Sequence, residues 1–368
     1  MSAITLGGDL VHYEVLGRGR PVVLLHGWLG SWRYWIPTIQ QLHVSYRVYA
    51  VDLYGFGDSS KNPAKLSLQQ QVQLLARFMD EMGLPKAAFI GHALGAWVLT
   101  EYAKQNPERI ARMVLCAPPL FDPGNLEERV PAGQMRLLKA SQSPSSTPAP
   151  APKPLTHDAP TIPSRSMLMA SGRFPLSPDM AAKAAEKSGA DDKQDASKQT
   201  LPSSPAADGN KPTSPSTTSA AFGGEELNLL RRHLGKATLI ELLNKCFKRT
   251  EAPYEKLKID VDKTSDAVLH SSITQFDAAT YLDDLRRIES PIGIIHGSDD
   301  PVIPMPTETV WQYLTVGKEG ALVPVPLNGV RHFPMLEYEP FVRLIKQFFE
   351  TDDFAKIEIK ERWKRRSI

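Results

Sequence analysis

The chain has only two cysteines in 368 residues, Cys116 and Cys246. That is too few for a disulfide framework, and it points to a reducing compartment, read as the cytosol. Charge of one sign is also missing. The formal net charge is +2, which excludes nucleic acid as a global electrostatic partner. No segment approaches the roughly 18 apolar residues a membrane span needs. The opening residues, MSAITLGGDLVHYEVLG, carry neither a basic region nor a long apolar stretch, so no secretory signal is expected. What remains is ordinary, with 42% hydrophobic and 23% charged residues. A chain of this length can bury one large core or two small ones.

Aromatics are nearly missing from one region. Between residues 141 and 220 the only one is Phe174, while 13 of the 80 residues are proline. Such a stretch cannot bury enough apolar surface to offset the entropy of ordering, and disorder is expected there. Setting it aside leaves roughly 290 residues, a single domain with one elaboration.

The rest alternates between short apolar runs and helical patterns. VVLLHG (Val22–Gly27), YRVYAVDL (Tyr46–Leu53), AAFIG (Ala87–Gly91), ARMVLCA (Ala111–Ala117), IGIIHG (Ile292–Gly297) and ALVPVPL (Ala321–Leu327) read as strands. Several are almost continuously apolar, as expected where helices cover both faces of a sheet. SLQQQVQLLARFMDEMG sets Val72, Leu75, Phe78, Met79 and Met82 on one helical stripe, with Ser67 as N-cap and Gly83 as stop. AWVLTEYAKQNPE predicts a second helix, ended before Pro107. Alternation of this kind predicts an α/β protein with a mostly parallel, doubly wound sheet. Ligands on such sheets sit beyond the carboxyl ends of the strands.

The alternation stops between Pro118 and Ser290. From Glu225 to Arg287 the pattern is helical, with Leu227, Leu230, Leu234, Leu239, Leu242, Leu243 and Phe247 recurring at helical spacing. The expected organisation is therefore a core segment 1–120 and a helical cap insertion 121–287 that holds the disordered stretch. A second core segment 288–350 and a basic tail 351–368 follow.

Four features fall at strand ends. Gly91-His92-Ala93-Leu94-Gly95 has the shape of a strand–turn–helix elbow. The residues two before and two after its apex must be small, and the apex is strained so that it projects beyond the strand. A simple glycine-rich turn would read the same way. Asp299 and Asp300 follow one strand, and His332 follows the last. Apex, acid and histidine thus come in the order of a nucleophile–acid–base triad. Asp300 is the better acid because it lies three residues after Gly297, which leaves Asp299 as a loop acid. The fourth feature is His26-Gly27-Trp28. The backbone N–H groups of Trp28 and Leu94 would form an oxyanion hole, two donors aimed where negative charge develops.

With these motifs in hand, the chain resembles the α/β-hydrolase superfamily, in particular its capped esterase, C–C hydrolase, haloperoxidase and epoxide-hydrolase branch. The resemblance is carried by HGWLGS, VDLYGFGDS (Val51–Ser59), GHALGA, HGSDDPVIP and RHFPMLE. It implies a nucleophile at position 93, Asp300 and His332 as acid and base, and Trp28 and Leu94 as oxyanion donors. It implies no cofactor and no metal. The ligand expected is a small hydrophobic ester, acyl or carbonyl compound, with Trp28, His92 and Trp97 at the pocket wall. His92, beside the apex, reads more readily as a packing residue.

Serine is absent where the resemblance requires it. Ala93 has no nucleophilic atom, and loss of the nucleophile alone removes about 10⁶-fold of the rate in a serine hydrolase. Aspartate chemistry at the apex is excluded too. Three explanations are open: a natural binding protein, a site that uses only the His332–Asp300 dyad as a lyase or cofactor-free oxygenase would, or an alanine introduced to trap substrate. Both elbow glycines, the acid, the histidine and the oxyanion loop are kept, and glycine would relax an idle apex better than alanine does. These points favour a recent or introduced loss, or a retained dyad.

Other nucleophiles read poorly. Cys116 ends an apolar strand and is expected to be inert. Ser31 and Ser59 have no base evidently placed for them. Tyr254 and Tyr281 could serve as acids only beside an apex aspartate. The tail's Trp363, Lys364, Arg365 and Arg366 read as a solvated helix end, with contact to an anionic membrane surface as the alternative.

Overall fold

From Val22 onward Arg20–Leu25 (β3) is fully buried, and so is every residue of Ile292–Gly297 (β7). Such burial needs layers on both faces, and helices supply them. The computed structural model describes residues 2–129, 228–318 and 320–351. The proline-rich stretch 141–220 and the tail beyond Thr351 lie outside the described residues.

Eight strands form one sheet. They are Ser2–Leu6 (β1), Asp9–Leu16 (β2), β3, Tyr46–Val51 (β4), Ala87–His92 (β5), Ile110–Cys116 (β6), β7 and Leu322–Leu327 (β8). Their order is β1-β2-β4-β3-β5-β6-β7-β8. β2 is antiparallel to both neighbours, and all later pairings are parallel. The chain turns from β3 to β4 on one side and to β5 on the other. The switch point between β3 and β5 is where such a sheet opens a crevice at its carboxyl edge.

The six strands read from the sequence form within two residues of their expected bounds, and β1 and β2 are additions. They were illegible as core because they are only half covered, with Leu10 and Leu16 largely exposed. The local signal was Gly7-Gly8. Both have positive φ, 59° and 88°, and they close a two-residue hairpin whose register pairs Leu6 with Asp9.

Helices Ile36–Leu42 (α1), Leu68–Glu81 (α2) and Leu94–Gln105 (α3) connect the first strands. The Ser67 hydroxyl caps α2 by accepting from Gln70 N–H. Val72, Leu74, Leu75, Phe78 and Met79 on α2 are buried, each contributing about 1.5–3 kcal/mol relative to exposure. Between β6 and β7 lie a short helix, Leu126–Arg129 (α4), and then Leu229–Leu234 (α5), Leu239–Cys246 (α6), Ala252–Asp262 (α7), Asp266–Ile273 (α8) and Ala278–Arg287 (α9). Their leucines Leu230, Leu234, Leu239, Leu242 and Leu243 are all buried. Helices Glu308–Thr315 (α10), Pro334–Glu337 (α11) and Phe341–Glu350 (α12) complete the described chain.

Candidate active site

β5 stops because its last turn cannot continue as strand. Ala93 has φ 48° and ψ −107°, one of two non-glycine residues with positive φ among those described. This conformation costs about 1–3 kcal/mol and persists only where the surroundings impose it. They do so tightly. A Cβ on Gly91 would stand 2.6 Å from the Gly95 carbonyl oxygen, and one on Gly95 would stand 2.5 Å from that of Leu25. Nothing larger than glycine fits either position. The Ala93 N–H donates to the Cys116 carbonyl at the end of β6 (2.9 Å), and the Ala93 side chain is fully buried.

His332 follows β8, and its Nδ1 lies 2.8 Å from Asp300 Oδ2. Both side chains are fully buried. The other carboxylate oxygen of Asp300 accepts from the N–H groups of Val302 (2.8 Å) and Ile303 (3.0 Å). Burial opposes ionisation of Asp300. The charge and hydrogen bond of His332, the nearby His296 and the Ile303 N–H outweigh it and hold the carboxyl below its ordinary value. Asp299 is exposed instead, and its carboxylate accepts from the Ser298 hydroxyl.

The far nitrogen of His332, Nε2, is buried and has no hydrogen-bond partner among the described residues. An unpaired buried polar atom costs about 1–3 kcal/mol, and a catalytic or ligand-binding role is one reason a fold retains one.

β3 ends at the same edge. A Cβ on Gly27 would meet the Ala93 Cβ at 2.9 Å, so the loop after β3 lies flush against the elbow. The backbone N–H groups of Trp28 and Leu94 donate no hydrogen bond among the described residues. The Trp28 indole is fully buried, and its Nε1–H donates to the Ser272 hydroxyl on α8 (2.9 Å). Trp97 is buried edge-on to Phe276 at 5.0 Å between centroids.

His92 does more than pack. Its Nε2 lies 2.8 Å from the His332 carbonyl, and its Nδ1 lies 2.9 Å from the Tyr34 hydroxyl. That hydroxyl also accepts from the Gly27 N–H (2.7 Å). The carbonyl can only accept, so Nε2 carries the proton, and Nδ1 accepts from Tyr34. Burial, reinforced by the charge of His332, keeps His92 well below its ordinary pKa and therefore neutral. Both ring nitrogens are thus held by protein groups. Tyr34 was not found from the sequence. It sits in the short 3₁₀ turn Trp32–Trp35, and nothing local in SWRYW marks its hydroxyl as a bridge.

Two more residues hold the loops. Arg331, next to His332, pairs with Glu337 (2.9 Å) and Glu251 (2.8 Å), tying the histidine loop to α11 and to the start of α7. Asp260 on α7 accepts from the Ser31 hydroxyl (2.6 Å) and from Arg33 (2.9 Å), which pins the loop that carries Trp28. The Cys116 thiol is fully buried and pushed up by that burial, so it supplies no nucleophile. The Ser59 hydroxyl donates to the Asp52 carbonyl. The hydroxyls of Tyr254 and Tyr281 meet Asn244 and Thr100.

Comparison with known proteins agrees with this fold. A family model described as alpha/beta hydrolase fold matches residues 20–138. Over 137 residues the chain is 36% identical to the dihydrolipoyllysine-residue acetyltransferase component of the acetoin cleaving system of Cupriavidus necator, covering 36% of this chain and 37% of that protein. Over 122 residues it is 33% identical to bifunctional epoxide hydrolase 2 of Rattus norvegicus, covering 32% of this chain and 22% of that one. The matched part is thus well under half the length of these curated relatives. A thermophilic esterase from Thermogutta terrifontis, solved with malate bound, superposes with a TM-score of 0.55 at 16% identity, covering 96% of this chain and 100% of that one. At that identity the likeness shows the fold. No helix among the described residues is long and apolar enough to cross a membrane.

Proposed function

We propose, for a chain that belongs to the α/β-hydrolase superfamily, that it descends from a serine hydrolase of small ester or related carbonyl compounds. Its site now binds such a ligand without forming an acyl-enzyme. One observation carries this reading: His332 Nε2 is buried and unpaired beside an alanine elbow, while Asp300 still orients the ring from the other side. In a serine enzyme that nitrogen takes the nucleophile's proton. Ala93 offers it none. The helices between β6 and β7 act as the cap over this site, and Trp28 reaches them through Ser272.

A second reading has its own support. An oriented base whose Nε2 is unpaired could abstract a proton from a bound water or an acidic substrate carbon, so a lyase or cofactor-free oxygenase would also use the dyad.

The test is hydrolysis of short and medium nitrophenyl esters by this chain, by Ala93→Ser and by Ala93→Ser with His332→Ala. The expected result is near-background turnover by the chain itself and a gain of about 10³-fold or more with serine. The added His332→Ala should abolish that gain. A folded Ala93→Ser variant with no gain would overturn the reading.

A further inference from the structure

The amino ends of β4, β3, β5 and β6 lie side by side at the sheet edge opposite the elbow. They border a cavity of about 250 Å³. Sites for drug-sized ligands run from about 300 to about 1,000 Å³, so this one suits one or two rings and not a long chain. Its apolar walls include the rings of Tyr46 and Phe349, 5.8 Å apart between centroids, and the small residues Ala87, Ala88 and Ala111.

The polar part of the cavity is cationic. Val22 pairs in register with Ala88. Arg20 and Lys86, each two residues earlier, therefore reach the edge side by side and on one face. Both line the cavity. Like charges on neighbouring strands destabilise a sheet, yet neither cation forms an ion pair among the described residues. Arg20 lies over the Tyr46 ring, 5.6 Å from its centroid, and against the Tyr46 hydroxyl. Glu350 accepts from that same hydroxyl (3.3 Å). Elsewhere the fold matches its cations with acids: Arg33 with Asp58 and Asp260, Arg109 with Asp80, Lys104 with Asp284. Arg112, level with Ala88 on β6, has a different task. It donates to the carbonyls of Phe348 (2.8 Å) and Thr351, which fixes the end of α12 as a wall of the cavity.

We infer that this cavity binds a small aromatic carboxylate, with its ring against Tyr46, Phe349 and the alanines and its anion between Arg20 and Lys86. A guanidinium meets a carboxylate with two parallel hydrogen bonds, and the ammonium adds a point charge beside it. The ring is needed as well as the charge, because exposed ion pairs alone contribute little. The cavity lies at the other end of the strands from Ala93 and His332, so the inference is independent of the function proposed for that site.

Calorimetry on the full chain tests it, with 1-naphthoate, 1-naphthamide and inorganic phosphate as probes. Naphthoate should bind about tenfold or more tightly than the amide, which lacks the charge, and than phosphate, which lacks the ring. Raising sodium chloride from about 50 to about 300 mM should weaken it severalfold. Arg20→Gln combined with Lys86→Gln should lower naphthoate affinity about tenfold or more. Both side chains are exposed, so the double variant should keep the far-ultraviolet circular dichroism of the parent. Lys256→Gln, which removes an exposed charge from α7, should leave naphthoate affinity unchanged.

Naphthoate binding that survives the double change lies elsewhere and overturns the inference. Binding no tighter than that of the amide or of phosphate does the same, and so does a lack of binding by all three probes. Naphthoate binding that emerges only when Asp352 and Asp353 are both replaced by Asn also overturns it, because the occupant would then be the acidic start of the chain's own tail.

Discussion

The Tyr34 hydroxyl lies 2.9 Å from His92 Nδ1 and takes the Gly27 N–H at 2.7 Å. With His92 Nε2 on the His332 carbonyl, one buried chain of hydrogen bonds joins the loop after β3, the elbow and the histidine loop. Each member can be satisfied in only one direction, with neutral His92 in the middle. The three loops therefore share a single arrangement, although they come from distant parts of the sequence.

Tyr34→Phe breaks this chain at its centre and leaves the Gly27 N–H and His92 Nδ1 without partners. Each such loss costs about 1–3 kcal/mol. Urea unfolding should show a drop of about 2–6 kcal/mol for the two groups together. His92→Leu added to Tyr34→Phe should cost less than the sum of the two single changes, because the shared hydrogen bond is lost only once. Additive effects in this cycle would mean that the two residues act separately.

Ala93→Gly should stabilise the fold. At φ 48° alanine carries strain of about 1–3 kcal/mol that glycine escapes. Glycine gives back about 0.4–1 kcal/mol through the freer unfolded chain. A net gain of about 1 kcal/mol is expected in the denaturation midpoint, with unchanged far-ultraviolet circular dichroism. A loss of stability instead would show that the elbow is not strained by its side chain.

Stability should fall on mild acidification. His26, His92 and His296 are fully buried, and desolvation holds each below its ordinary value. The unfolded chain takes up these protons from about pH 6.5 downward while the folded chain resists. Each group then removes about 1.4 kcal/mol per pH unit, and the three together about 4. His12 is raised: burial works against its charge, but Asp52 and the neighbouring carboxylates prevail. Its contribution is fully present below its unfolded value and adds no slope there. Asp52 and Asp300 are lowered, so their contributions are lost only at more acidic pH. Denaturant midpoints measured from about pH 7 to about pH 5 check this. A flat profile would mean that the three imidazoles are not buried in neutral form.

The sequence by itself determined the six parallel strands of the sheet and the positions of the polar groups along them. Continuous apolar runs such as Val22–Leu25 and Ile292–Ile295 can only be buried strands, and a glycine on each side of residue 93 can only be a tight turn. Ala93, Asp300 and His332 were readable as candidates because each lies within five residues of the end of a strand. The hairpin of β1 and β2 was not, because a half-exposed edge has no strong apolar period, although Gly7-Gly8 marked its turn. Tertiary structure alone decided what the loops do to one another. Tyr34 meets His92, Arg331 meets Glu251, Ser31 meets Asp260 and Trp28 meets Ser272 across separations of 58, 80, 229 and 244 residues. Hydrogen bonds of that span leave no periodic trace in the chain. They depend on the sheet first bringing its strand ends to one edge, and on buried polar atoms then finding the partners that burial requires.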